Sequence, residues 1–190
     1  MSSPGPAPPV NLFMSVIGTD GESIARALVL LMEHFGEADY ISSCRKFAYT
    51  DYYEREMGTG LRRRFVSFAG HVLPETLPEI KLGTNELERL LAAGAARRVN
   101  IDPGYIAAAH LILATGKGYN HRPYLRAGIY ADLTLVYREG SFRPLPWTYP
   151  DYAAPETVAI LNTVRRKYLE QLQKRRKEQH DQQHDRLRPG

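Results

Sequence analysis

Asn11-Leu12-Phe13-Met14-Ser15-Val16-Ile17-Gly18-Thr19-Asp20-Gly21-Glu22 decides how the rest of the chain is read. Its first eight residues are an apolar run closed by glycine, the pattern of a buried strand. Thr19 to Glu22 then has capping-box spacing, with glutamate three residues after threonine. Ile24, Leu28, Leu31, Met32 and Phe35 follow at helical spacing, and Gly36 is a natural stop. A strand leads directly into an amphipathic helix.

Working outward, Asp39 to Thr50 reads as a second strand and Leu61 to His71 as its antiparallel partner. A second helix is expected from Thr76, where Thr76-Leu77-Pro78-Glu79 repeats the capping-box spacing. Its packing stripe is Ile80, Thr84, Leu87 and Leu91, and Gly94 ends it. A strand carrying Asn100 and Asp102 follows. The order strand-helix-strand-strand-helix-strand predicts an α+β fold with a ferredoxin-like split βαβ core, helices on one face of an antiparallel sheet. Strands over Leu111–Thr115 and Ile129–Arg138, and a C-terminal helix from Pro155 to about Lys177, are appended to it. Residues 1–9, with four prolines, are expected to be a disordered tail; 10–172 form one domain; 173–190 form a basic, polar extension.

The net charge of +4 is unevenly spread. Residues from Arg165 onward carry +5 and the remainder −1, which argues against a domain-wide nucleic-acid surface. Cys44 is the sole cysteine, so a disulfide framework or a thiolate zinc site within the chain is excluded. With no basic, apolar leader and no apolar run long enough for a bilayer, a cytoplasmic protein with no membrane partner is expected.

Candidate chemistry gathers in Arg97-Arg98-Val99-Asn100-Ile101-Asp102-Pro103-Gly104. Strand alternation sends Asn100 and Asp102 to one face. Oxygen ligands beside arginines suit a Mg²⁺–phosphate centre; Asp-Pro-Gly is also ordinary turn chemistry. Asp132, on a predicted strand with Tyr130 and Thr134, is a third candidate metal ligand or a general base, or part of an exposed polar face. Lys117, His121 and Arg122, in a glycine-flanked segment, could grip phosphate or form a solvated basic loop. Tyr49 and Thr50 open an aromatic, acidic stretch suited to stacking a planar ring, or to packing over a sheet end. Arg62-Arg63-Arg64 reads as a solvated strand entrance more readily than as a phosphate reader. Lys174-Arg175-Arg176-Lys177 could touch RNA or solubilise the end of the helix.

The blocks YTDYYEREMG, LRRRFVSF, IKLGTNELE, RRVNIDPGY and GIYADLTLVY resemble an uncharacterised bacterial family, domain of unknown function 4416, over about residues 11–170. Some members carry the label "GTP-binding protein"; this chain has neither a Walker A loop nor an Asn-Lys-x-Asp run. The landmark order is also similar to hydroxymethyldihydropterin pyrophosphokinase over about residues 11–122. Gly18-Thr19-Asp20 stands for its Gly-Ser-Asn, and Tyr49-Thr50 with Gly58 for its pterin loop. Phe65 and Ser67, then Glu86 and Glu88, then Arg97, Asn100 and Asp102, then His121 follow in the matching order. That resemblance implies two Mg²⁺ ions bridging nucleoside triphosphate phosphates, with Arg97 and His121 stabilising the transferred group. Asn100 departs from the pattern, because it replaces one of two metal-binding aspartates.

The resulting expectation is a Mg²⁺-dependent, nucleotide-using phosphoryl or diphosphoryl transferase. Asp102, His121 and Arg97 would be catalytic; Arg98, Lys117, Arg122, Tyr49 and Thr50 would hold the nucleoside triphosphate; Asp102, Asn100 and Asp132 would hold metal. The alternatives are a non-catalytic nucleotide- or small-molecule-binding regulatory module, and an RNA-associated protein acting through the basic C-terminal helix.

Overall fold

The computed structural model describes residues 3–186 except Asp51 and Ala95. Strand β1 (Val10–Gly18) is buried at every residue, because it lies mid-sheet and is covered on both faces. Helix α1 (Gly21–Phe35) follows, then edge strands β2 (Ala38–Ile41) and β3 (Arg45–Lys46), one-turn helix α2 (Glu54–Met57) and strand β4 (Arg62–Val72). A 3₁₀ turn (Pro74–Thr76) leads into α3 (Leu77–Leu90), then β5 (Val99–Ile106) and β6 (His110–Thr115). Strands β7 (Tyr124–Arg126), β8 (Ile129–Arg138) and β9 (Ser141–Pro144) precede α4 (Pro150–Ala153) and the long α5 (Pro155–Arg186).

The strand order is β2-β4-β1-β5-β6-β8-β7, with β3 also beside β4 and β9 also beside β8; the pairings are antiparallel. β1-α1-β2-β4-α3-β5 is therefore the split βαβ core, and β6 to β9 widen its sheet beyond β5.

Leu12, Met14, Val16, Val66, Phe68, Val99 and Ile101 face α1 and α3 through Ile24, Leu28, Leu31, Ile80 and Leu87. Alternation sends Phe13, Phe65, Ile106, Leu113 and Leu135 to the opposite face, where Tyr152, Leu161 and Val164 of α4 and α5 cover them. The two core helices share one face, as expected, and the appended α5 covers the other. The α5 stripe Leu161, Val164 and Tyr168 is an apolar surface, and the second sheet face is where it is buried.

Smaller corrections have local causes. Asp20, not Thr19, caps α1, accepting the Ser23 N–H at 2.7 Å. Thr76 caps nothing; its hydroxyl donates to Leu73 O within the 3₁₀ turn. The single strand expected over Asp39–Thr50 is two short ones, because Ser42 turns its hydroxyl to the Phe65 N–H at 2.9 Å and interrupts the ladder. Helix α3 stops at Leu90, before Gly94, and α5 runs past Lys177 to Arg186. Among the described residues no helix is long and apolar enough to cross a membrane.

Candidate functional site

Strand β5 pairs with β6 only through Gly104, Tyr105 and Ile106. A Cβ at Gly104 would lie 2.3 Å from Ile112 O, so the two strands touch closely there. Toward Val99 they splay, and the outer backbone edge of β5 loses its strand partner.

Side chains replace that strand. Glu88 of α3 accepts the Ile101 N–H at 2.6 Å, and Lys81 donates to Ile101 O at 2.8 Å. Arg97 Nε donates to Val99 O at 3.1 Å, and Pro103 has no N–H to satisfy. Burial pushes the Glu88 carboxyl above the ordinary glutamate range, opposed by the charges of Lys81 and Arg97. Arg97 also reaches Glu88 at 2.7 Å, Glu56 at 3.3 Å and Asn100 Oδ1. Asn100 Nδ2 then donates to Asp102 Oδ2 at 2.6 Å. Alternation does place Asn100 and Asp102 on one face, opposite Val99 and Ile101, which pack on α1 and α3.

The other flank of the splay belongs to β6 and β8. Asp132 is the cross-strand partner of Leu113, and Arg122 Nε donates to its Oδ2 at 2.7 Å. Arg122 also donates to Lys117 O and to the Tyr149 hydroxyl. His121 Nε2 stands 3.8 Å from Asp132 Oδ2, beyond hydrogen-bond reach. Its ring stacks on Trp147 at 5.0 Å and on Tyr119 at 6.0 Å. Lys117 donates to the Tyr52 hydroxyl, with its ammonium 4.0 Å from the Tyr52 ring centroid. Among the described residues it forms no ion pair.

The segment from Tyr52 to Met57 spans both flanks, since Tyr52 meets Lys117 and Glu56 meets Arg97. Tyr53 lies between them, its phenol pushed well above the usual tyrosine range by burial and then by the Asp102 charge. Beside it, Arg63 is buried among Phe47, Tyr49, Phe65 and Tyr152, 2.5 Å from Asp151. This is the functional-region residue that sequence reasoning missed. Leu61, just before β4, and Arg63 and Phe65 on it are buried at alternate positions, which was the available signal. Tyr49 donates to Glu156 at 2.6 Å, and Thr50 accepts the Tyr52 N–H at 3.1 Å.

The candidate residues therefore divide. Arg97, Asn100 and Asp102 stand together on one flank, and Lys117, His121, Arg122 and Asp132 on the other. Arg98 belongs to neither; it lines a recess with Asp20 and Arg26 at the start of α1. The donor set does not fit a two-magnesium centre. Asn100 Oδ1 is taken by Arg97, Asp132 Oδ2 by Arg122 and Asp102 Oδ2 by Asn100. Among the described residues, no three His, Cys, Asp or Glu side chains gather to hold a metal ion. What the region does offer is exposed rings, Tyr52, Tyr119, Trp147 and Tyr149, interleaved with Lys117 and the Arg122–Asp132 pair.

The sequence matches the family described as Domain of unknown function (DUF4416) over residues 8–168. No curated protein and no solved structure matches it.

Proposed function

Because the chain belongs to the DUF4416 family of domains of unknown function, its activity has to be argued from its own residues, and we propose that it binds a nucleotide or a similarly built ligand, a planar ring carrying an anionic group. The observation that carries this reading is Lys117. It is an exposed ammonium that meets no carboxylate among the described residues, held against an exposed tyrosine ring. An anion would supply the missing charge, and a planar ring would stack on Tyr52 or on the Tyr119–Trp147 shelf. Arg122 is already neutralised by Asp132, so it shapes the surface more than it attracts charge. Binding at Lys117 and the rings calls for no magnesium, and Asn100 Oδ1, Asp102 Oδ2 and Asp132 Oδ2 already accept protein hydrogen bonds.

Thermal unfolding with ATP, GTP and AMP, with and without Mg²⁺, tests this. Ligand binding to the native state raises the melting temperature. The shift is expected without Mg²⁺ and absent in Lys117→Ala. No shift with any nucleotide, or an equal shift in the variant, refutes it.

A second reading is the Mg²⁺-dependent phosphoryl or diphosphoryl transferase. It draws support from Asp102, whose side chain is 29% exposed and whose Oδ1 lies 3.8 Å from Lys81, too far for a hydrogen bond. Turnover of ATP or GTP that needs Mg²⁺ and disappears in Asp102→Ala would favour it over simple binding. RNA association rests on Lys174–Lys177, exposed on α5; salt-sensitive RNA binding lost on truncation after Leu172 is its test.

A further inference from the structure

The short β3–β4 ladder joins four cations. Arg45 stands opposite Arg63, and Lys46 opposite Arg62. Like charges directly opposite each other on paired strands destabilise the pairing unless a counter-charge lies near. On the face toward α5 the chain supplies that charge. Asp151 pairs with Arg63, and Glu156 shares a cleft with Arg45 and Arg63. The Glu156 carboxyl is held below the ordinary glutamate range by the Tyr49 hydrogen bond first, with both arginine charges adding to it.

On the opposite face the chain supplies none. Alternation along β4 sends Arg62 and Arg64 to the side of Val66 and Phe68, which pack toward α1 and α3. Lys46, as the cross-strand partner of Arg62, stands on that side too. Arg62 Nε donates to Cys44 Sγ at 3.3 Å. Among the described residues, none of these three cations forms an ion pair, and the Lys46 and Arg64 side chains donate no hydrogen bond. Lys46 and Arg62 are exposed, and Arg64 is half-buried opposite Val16.

Register also fixes their spacing. Cross-strand neighbours on one face stand about 5 Å apart at Cβ, and residues two apart on a strand about 7 Å apart. Side chains as long as lysine and arginine reach a common point from such a triangle. Two planar guanidinium groups and an ammonium match the oxygens of a phosphate. With three positive charges to balance, a diphosphate is better matched than a single carboxylate.

We propose that Lys46, Arg62 and Arg64 form a binding site for a multiply charged phosphate group carried by a small molecule. In the sheet, β1 and β5 separate β4 from the strands of the Lys117 flank, so this site and the Lys117 reading stand or fall independently.

Titration calorimetry on the full chain without Mg²⁺ tests it, with inorganic pyrophosphate as the probe and sulfate at matched ionic strength as the control. Sulfate is expected to bind about tenfold more weakly or worse. Lys46→Gln and Arg64→Gln should each weaken pyrophosphate binding by about tenfold or more. Arg143→Gln, the same charge change on the exposed part of β9, should leave it unchanged. A second readout needs no ligand. At low salt, Lys46→Gln should raise the melting temperature by relieving repulsion across the ladder, and added pyrophosphate should then raise it no further. No pyrophosphate binding to the wild-type chain, equal binding of sulfate, or an affinity unchanged in both variants overturns the site. A lower melting temperature in Lys46→Gln overturns the unbalanced ladder on which it rests. Salt-sensitive RNA binding that both variants lose, without pyrophosphate binding, overturns it in favour of a nucleic-acid backbone.

Discussion

On the β5 flank of the splay, Lys81, Glu88 and Asn100 are buried, and each meets a backbone or side-chain partner. On the β6–β8 flank, Lys117 and Tyr119 stand in solvent, and Lys117 meets no carboxylate among the described residues. The residue types are similar and their use is not. A charge taken out of water must be paired or it costs several kcal/mol, so the buried flank has spent its groups on holding a strand edge that lacks a neighbour. The β6–β8 flank buries one such pair, Arg122 with Asp132, but leaves the Lys117 charge in solvent and available. The proposed ligand would therefore meet the flank whose network is incomplete.

The sharpest way to break this comparison is Glu88→Ala. It would orphan the Ile101 N–H and remove a carboxylate from Arg97 in a buried setting. A loss of about 3–5 kcal/mol is expected, the range for breaking one side of a buried pair. Lys117→Ala should stay within about 0.5 kcal/mol, as surface changes do. Urea unfolding of both variants gives the ratio. Similar costs for the two would mean that the flanks do not differ as described.

The core topology was legible because its signals are periodic and local. The β1 run, the α1 stripe from Ile24 to Phe35 and the α3 stripe around Leu87 each carry their own pattern. The side that α5 covers was not legible, since an apolar helical stripe does not say which sheet face it meets. The one-flank picture of the site failed for a related reason. Alternation places Asn100 beside Asp102, but nothing in a sequence shows that β5 is unpaired with β6 before Gly104 and that Asp102 and Lys117 lie on separate flanks. Arg63 was missed because a run of three arginines reads as solvated. Only its register with Leu61 and Phe65 points it inward.

Gly104→Ala probes the point where the flanks meet. Its new methyl would lie 2.3 Å from Ile112 O and 2.7 Å from a Leu113 methyl, so β5 and β6 must move apart. Overpacking of this kind costs about 1–3 kcal/mol. It should also weaken nucleotide binding more than Lys117→Ala weakens stability, because the spacing between flanks changes. A variant as stable as wild type with unchanged ligand affinity would separate the splay from function.

The smallest effect concerns pH, and here the buried groups carry opposite signs. Glu88 has its carboxyl raised by burial above the ordinary 4.5, so the folded chain holds that proton more firmly than the unfolded chain does. Its contribution to stability is present below pH 4.5 and is lost as pH rises through the folded value. His110, at the start of β6, has its imidazole lowered below 6.5 by burial. There the unfolded chain takes up the proton first, and stability falls as pH drops through that range. His71 at the end of β4 is lowered by burial as well, with its Gln171 contact opposing. Urea midpoints between pH 4.5 and pH 7.5 should therefore show the Glu88 contribution shrinking as the histidine contributions grow. Glu88→Gln should remove the falling component, and His110→Asn should flatten the rising one. If neither variant changes the slope, the titrating groups lie elsewhere, and the buried flank owes its stability to hydrogen bonds that pH does not touch.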